Sequence, residues 1–286
     1  MSLQTEIECA LEGGVPERTP LTICDWLLFH QQKVDIREEN VTELLRDCFQ
    51  APEWRRLFDL GLGVCHHVPV IRAVEHGVQT VNETRNEGDV RYDRLRKVTP
   101  VGAIQKVTRN GWHHEDWIKG PEDYEVQRWI IENTELLPDN DAYDRALNLV
   151  GSRGVVVVTG HGCWWSRSPA MRINVDMAGT EQFCMDVALE EEALSELYAV
   201  LKRQFLTEVG MIAKMPGRYV KWLENLTISM LGPRRYEKML LNVYREAMPI
   251  YTQGNKRVMV HYDGELRVIA DQIAQAPFHC VESLTE

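Results

Sequence analysis

Apolar residues recur along this chain in two rhythms. Gly154-Val155-Val156-Val157-Val158-Thr159 is apolar without alternation, as expected of a strand buried on both faces of a parallel sheet. Leu21 to Cys24, Tyr219 to Leu226, Arg257 to His261 and Phe278 to Glu282 are shorter runs of the same kind. Between them the period becomes helical. Leu194, Leu197 and Leu201 mark one face of a helix over 189–209, with Glu190, Glu191 and Glu192 at its positive end and Gly210 as its stop. Pro233 opens the next helix, with Tyr236, Leu240, Val243, Ala247 and Ile250 turned inward and Gly254 closing it. Leu266, Ile269, Ala270 and Ile273 fall at i, i+3, i+4, i+7.

The first half is less regular. Residues 1–19 predict a helix broken at Gly13-Gly14 and Pro16, and 37–60 a surface helix. Residues 77–108 are β-prone, mostly alternating and punctuated by Gly88 and Pro100, which predicts an antiparallel meander off the main body, after the first strand. Gly120-Pro121-Glu122-Asp123 then starts another helix. From residue 150 onward strands and helices alternate. With the strand near residue 22 the count is five parallel strands, an α/β fold. Five strands suit an open doubly wound sheet, or most of an eight-stranded barrel.

Composition adds limits. With 286 residues, 44% apolar and 26% charged, the chain is ordinary for a globular protein. No apolar run approaches a membrane span. The first residues carry acid where a signal peptide carries base, so the expected location is the cytoplasm. A net charge of -11 and a pI near 5.4 argue against a nucleic-acid partner. Seven scattered cysteines without a Cys-x-x-Cys pair support neither a disulfide framework nor a zinc ribbon.

Candidate chemistry gathers at strand ends, where parallel α/β folds place it. His261 and Asp263 are two residues apart on a strand, so they leave the same face with Cα atoms about 6.6 Å apart. With Glu282 at the end of the next strand they form a candidate set for zinc or another divalent ion. The alternative is a strand-capping histidine followed by an Asp263-Gly264 turn. Asn225, beside Glu224, can orient a substrate carboxylate or hydroxyl, or close a turn. Gly160-His161-Gly162-Cys163 lacks a phosphate-loop pattern, and His161 reads as lining a pocket or as structural. Trp164 and Trp165 wall that pocket or join the core. The pairs His66-His67 and His113-His114 point apart in a strand and make poor chelates, so they read as surface or structural. Cys163 and Cys280 have no base partner by spacing.

Several strings together resemble the uroporphyrinogen decarboxylase-like superfamily. They are Thr99 to Gly102, Ile118 to Tyr124, Glu224 to Thr227, Gly254 to Gly264, and Val281 to Thr285. The resemblance runs over most of 95–286. It implies one (βα)8 TIM-type barrel over 1–286, here ending before its last strands, with edges open to pairing, a homo-oligomer included. It also implies one of two activities. The first is cofactor-free decarboxylation of uroporphyrinogen. The second is methyl transfer between a small-molecule donor and a corrinoid on a partner protein, with zinc activating the donor. Residues 24–36 contain no arginine where decarboxylases carry Arg-Gln-Ala-Gly-Arg-Tyr, which favours the methyltransferase branch on charge grounds. That branch commonly has His-x-Cys-Gly where this chain has His261-Tyr262-Asp263-Gly264, a hard oxygen in place of a soft sulfur. The implied roles are His261, Asp263 and Glu282 on the metal, Asp263 also in catalysis, and Asn225 and His161 orienting substrate. A subunit that only binds is the third reading.

Overall fold

The computed structural model describes residues 2–32, 40–161, 166–226 and 231–283. Its centre is a curled sheet of six parallel strands in chain order, each paired with the next of the six. They are β1 (Thr22–Cys24), β2 (Gly63–Pro69), β9 (Gly154–Thr159), β10 (Tyr219–Leu226), β11 (Arg257–Tyr262) and β12 (Cys280–Glu282). The six form a curled half-barrel, with β1 and β12 as its edges among the described residues.

Five of the six strands follow from the apolar runs. The sixth, β2, does not, because His66 and His67 interrupt Val64-Cys65 and Val68-Pro69. Both histidines are buried all the same. The meander accordingly leaves the body after the second parallel strand, not the first. It is also larger than 77–108. β3 (Ile71–Glu75) pairs antiparallel with β8 (Thr134–Pro138), and β4 (Gln79–Glu87), β5 (Val90–Thr99), β6 (Gly102–Arg109) and β7 (Trp112–Glu115) form a four-stranded sheet between them.

Alternation along the parallel strands separates two faces. Val64, Val68, Val156, Val158, Val220, Trp222, Val258 and Val260 pack into the main core under the helices. Val155, Val157, Tyr219 and Met259 point the other way, with Cys65 and Cys280 against them. Ile7, Leu3 and Leu11 of α1 (Leu3–Leu11) fill that inner side near the strand starts. Apolar burial of this kind stabilises by about 25 cal/mol per Å².

The helices follow their patterns with two adjustments. The surface helix expected over 37–60 is, in its described part, two helices, α3 (Val41–Gln50) and α4 (Pro52–Asp59). Ala51 is extended between them, because the residue before a proline avoids the helical region. The helix expected to stop at Gly210 runs on as α9 (Glu192–Lys214). An interior glycine costs only about 1 kcal/mol, and Val209 and Ile212 bury the face on either side of it. Trp222 sits between α9 and the helix Asn242–Gln253, its ring 5.2 Å from Phe205 and 5.7 Å from Tyr244. No helix among the described residues is long and apolar enough to cross a membrane.

One glycine is fixed by a close approach. Gly154 pairs with Val64, and a methyl group on it would lie 1.9 Å from the Val64 carbonyl oxygen. Gly154→Ala is expected to spread β2 from β9 and to cost about 1–3 kcal/mol in denaturant unfolding. Unchanged stability would contradict this register.

Candidate functional site

At the C-terminal end of β1 the chain turns directly into a helix (Asp25–Gln32), which puts Asp25 in its first turn. Asp25 is fully buried and accepts from several donors. The backbone N–H groups of Trp26 and His67 reach it at 2.9 and 2.7 Å. Nδ1 of His66 lies 2.7 Å from Oδ2, and Nδ1 of His67 lies 2.8 Å from Oδ1. His66 and His67 do leave opposite faces of β2, as adjacent strand residues must. A single carboxylate at the edge of the neighbouring strand holds both, one oxygen to each ring. Burial would raise the Asp25 pKa, but His67 and His66 outweigh it and hold the carboxyl well below the usual range. Accepting at both Nδ1 positions fixes both rings as Nδ1–H tautomers when neutral.

Cys24 completes the group. Its Sγ lies 3.7 Å from Asp25 Oδ1 and 3.8 Å from His67 Nδ1. Cys24, Asp25 and His67 each offer a ligand atom within 4.8 Å of the others. This Cys–Asp–His cluster has the geometry to hold a metal ion. The set fits zinc chemistry, since sulfur, oxygen and nitrogen donors are all zinc ligands and three protein ligands leave a position open. Burial first, then the charge of Asp25, pushes the Cys24 thiol up to about 12.

His261, Asp263 and Glu282 also lie together, at the ends of β11 and β12. They form a hydrogen-bonded chain: His261 Nδ1 is 2.9 Å from Glu282 Oε1, and His261 Nε2 is 3.1 Å from Asp263 Oδ1. The imidazole thus stands between two carboxylates, one on each ring nitrogen. Lys221, buried on β10, forms an ion pair with the same Glu282 oxygen. Burial would raise Glu282, yet its hydrogen bond to His261 and the Lys221 charge bring it down to about 2. The Lys221 charge is also felt at Cys24 and Cys65. The Asp25 cluster and the His261 chain therefore share the inner, C-terminal side of the sheet.

His161 lies just past β9 and is buried. Its Nδ1 lies 2.7 Å from Glu208 Oε1, its backbone N–H donates to the same oxygen at 2.5 Å, and Arg172 Nη1 lies 3.1 Å from Nε2. It lines a small polar cavity with Arg167, Arg172 and Asp176. Asn225 is half-buried in a bulge of β10, at φ 48°, a left-handed conformation that asparagine tolerates. Its neighbour Glu224 is fully buried instead, accepting from the N–H of Ser168 at 3.1 Å and from its hydroxyl at 2.8 Å. Cys163, Trp164 and Trp165 lie outside the described residues.

Sequence reasoning thus found the His261 group and missed the Asp25 group. One signal was present: an apolar run from Val64 to Ile71 broken only by two histidines. Such a run is a buried strand whenever an acid elsewhere can anchor the rings.

No family model matches the chain, and no curated protein matches it significantly. A methyltransferase from Methanosarcina mazei is similar in structure over 98% of this chain and 75% of its own, with a TM-score of 0.53 and 12% sequence identity. At that identity the likeness is one of fold.

Proposed function

We propose that the chain is a metal-dependent methyltransferase of the uroporphyrinogen decarboxylase-like type, with a small-molecule methyl donor and a corrinoid protein as the methyl-accepting partner. The observation that carries this reading is the Cys24–Asp25–His67 cluster at the C-terminal end of a parallel sheet. A methyltransferase-like fold and the motifs around His261 support it. When bound there, a divalent ion, zinc in the first instance, supplies Lewis-acid polarisation of the donor's heteroatom. The chain's own groups do the rest. Asp25 and His67, as ligands, hold the ion in place of the proton that His67 Nδ1 shares with Asp25 Oδ1. Cys24 gives up its proton to become a ligand. Across the inner face, His261 is held between Asp263 and Glu282 as a second polar group, able to ligate or to hold a proton. The Asn225 amide faces no competing partner among the described hydrogen bonds and is assigned to substrate. His161, engaged at both ring nitrogens, acts as a positioning residue between Glu208 and Arg172.

A thiol held near 12 must lose its proton to a metal. Zinc uptake is therefore expected to release about one proton per site near neutral pH, with affinity rising about tenfold per pH unit. Calorimetry in buffers of different ionisation enthalpy reads the proton directly. Cys24→Ala and His67→Ala should each lower zinc content by about tenfold or more. Purified protein without metal that takes up none, or uptake unchanged in both variants, would remove the metal from this proposal. Methyl transfer to cob(I)alamin, followed by its change in absorbance, tests the reaction itself.

A further inference from the structure

Two free cysteines face each other across the edge of the parallel sheet. Cys24 ends β1 and pairs in register with Cys65 of β2. Neighbouring strands run about 4.8 Å apart, inside the Cα separation of about 4.4–6.8 Å that a disulfide spans. Register partners point to the same side of a sheet, and the surroundings of both thiols agree. Cys65 packs against the inner cluster. Cys24 Sγ lies 3.8 Å from Nδ1 of His67, which shares the face of Cys65 by alternation. Lys221 acts on both thiols, and Cys65 acts on Cys24.

No other cysteine among the described residues is placed this way. Cys280 is on β12, with three strands between it and β2. Cys48 belongs to the core under the helices. Cys9 and Cys184 lie on α1 and on the helix Gly179–Ala188.

The edge can also give the small movement that a bond needs. β1 is three residues long and pairs with a strand on one side only among the described residues. Both thiols are half-buried, so a small oxidant reaches them.

We propose that Cys24 and Cys65 are a modification site, a dithiol that a peroxide closes to a disulfide, and that closure disarms the candidate metal centre. The consequence for the metal rests on the reading of Cys24 as a ligand. The disulfide itself does not. Peroxide gives one oxygen to the Cys24 sulfur, leaving a sulfenic acid and a water. The Cys65 sulfur then attacks that sulfur. The S–O bond breaks, and its oxygen leaves as a second water with the Cys65 proton. Two thiols are oxidised and one peroxide is reduced to two waters. A sulfur in a disulfide has no thiolate to offer a metal, so three ligands fall to two. A dithiol reductant reverses the change by exchange. Burial raises both thiols, Cys65 to about 11, and a protonated thiol is a poor nucleophile. The pair therefore resists air and closes with peroxide in excess.

Hydrogen peroxide on the full, metal-free chain tests the site directly. Thiols are counted after denaturation, and peptides are mapped without reduction. Two of the seven thiols are expected to disappear, with one linked peptide pair joining Cys24 to Cys65, and dithiothreitol should restore both. Zinc affinity of the closed protein should fall by about tenfold or more and return on reduction. Cys65→Ser should bind zinc as wild type does and form no link, with far-UV circular dichroism checking its fold. Both thiols still free, Cys24 joined to another cysteine, or a closed protein that binds zinc as tightly as before would each overturn the proposal. The metal reading fails separately. A chain that forms the link but never takes up zinc keeps the modification site and loses its consequence, whereas one that binds zinc through Cys24 and never forms the link overturns the site alone.

Discussion

Replacing Asp25 with alanine is expected to destabilise the fold by about 3–5 kcal/mol, the range for stranding partners of a buried charge. The reason is the number of groups that depend on one carboxylate. Asp25 accepts from two backbone N–H groups and two imidazoles, all without access to water. His66 Nε2 is already buried without a partner, so the ring has no second anchor to fall back on. Asp25→Asn should also be costly. An amide offers one accepting oxygen, and its NH2 group would face a donor where the carboxylate had its second oxygen. The pH dependence has a definite sign. The folded pKa of Asp25 is depressed, so its contribution is complete above the usual aspartate value and is lost as pH falls below it. Urea unfolding of the metal-free protein measures all three effects. Either variant within about 1 kcal/mol of wild type would show that the histidines do not depend on Asp25.

That dependence also explains what could be read from the sequence and what could not. Parallel strands buried on both faces announce themselves as unbroken apolar runs, and β9, β10 and β11 lie where those runs lie. Pro233 and Gly254 punctuate their helix because proline lacks a donor and a helix ends readily at glycine. β2 was hidden because its two histidines are polar by type and buried by circumstance. The circumstance is an aspartate about 40 residues away, and pairing across that distance is a property of topology, not of pattern.

The same division runs through the candidate site. His261 and Asp263 share a face by alternation alone, and Glu282 is their neighbour because β11 and β12 are joined by a short crossover. Their proximity was therefore legible. Their hydrogen bonding was not. Lys221 enters from β10, and its inward direction follows from strand alternation only once the register with β11 is known. Cys24 and His67 meet because β1 and β2 are adjacent, which required β2 to be recognised first. Asn225 and Glu224 exchanged prominence for a local reason. Alternation puts Glu224 on the core face with Val220 and Trp222, a placement that its charge disguised, while the bulge between Leu223 and Leu226 falls on Asn225.

Glu224→Gln is expected to stabilise the protein at pH 8 by roughly 3 kcal/mol and to leave it unchanged near pH 4. Glu224 is fully enclosed, and burial lifts its carboxyl to about 7, with Ser168 and Arg167 opposing the shift only in part. An acid whose folded pKa is raised costs nothing while both folded and unfolded states are protonated. As pH climbs from the ordinary value of 4.5 toward 7, the unfolded chain sheds its proton and the folded chain keeps it, so stability declines. Above 7 both states are ionised and the deficit is constant. Glutamine can keep its oxygen at the Oε2 position, where the Ser168 hydroxyl donates at 2.8 Å and the Ser168 N–H at 3.3 Å, with its NH2 group in place of the protonated oxygen. The variant's stability should therefore be flat where wild type slopes, and the difference between the two isolates this group from every other titration. The opposite sign has an equally clear meaning. If Glu224→Gln is less stable than wild type at pH 8, then the ionised carboxylate is the native form, held by Arg167 strongly enough to overcome its burial.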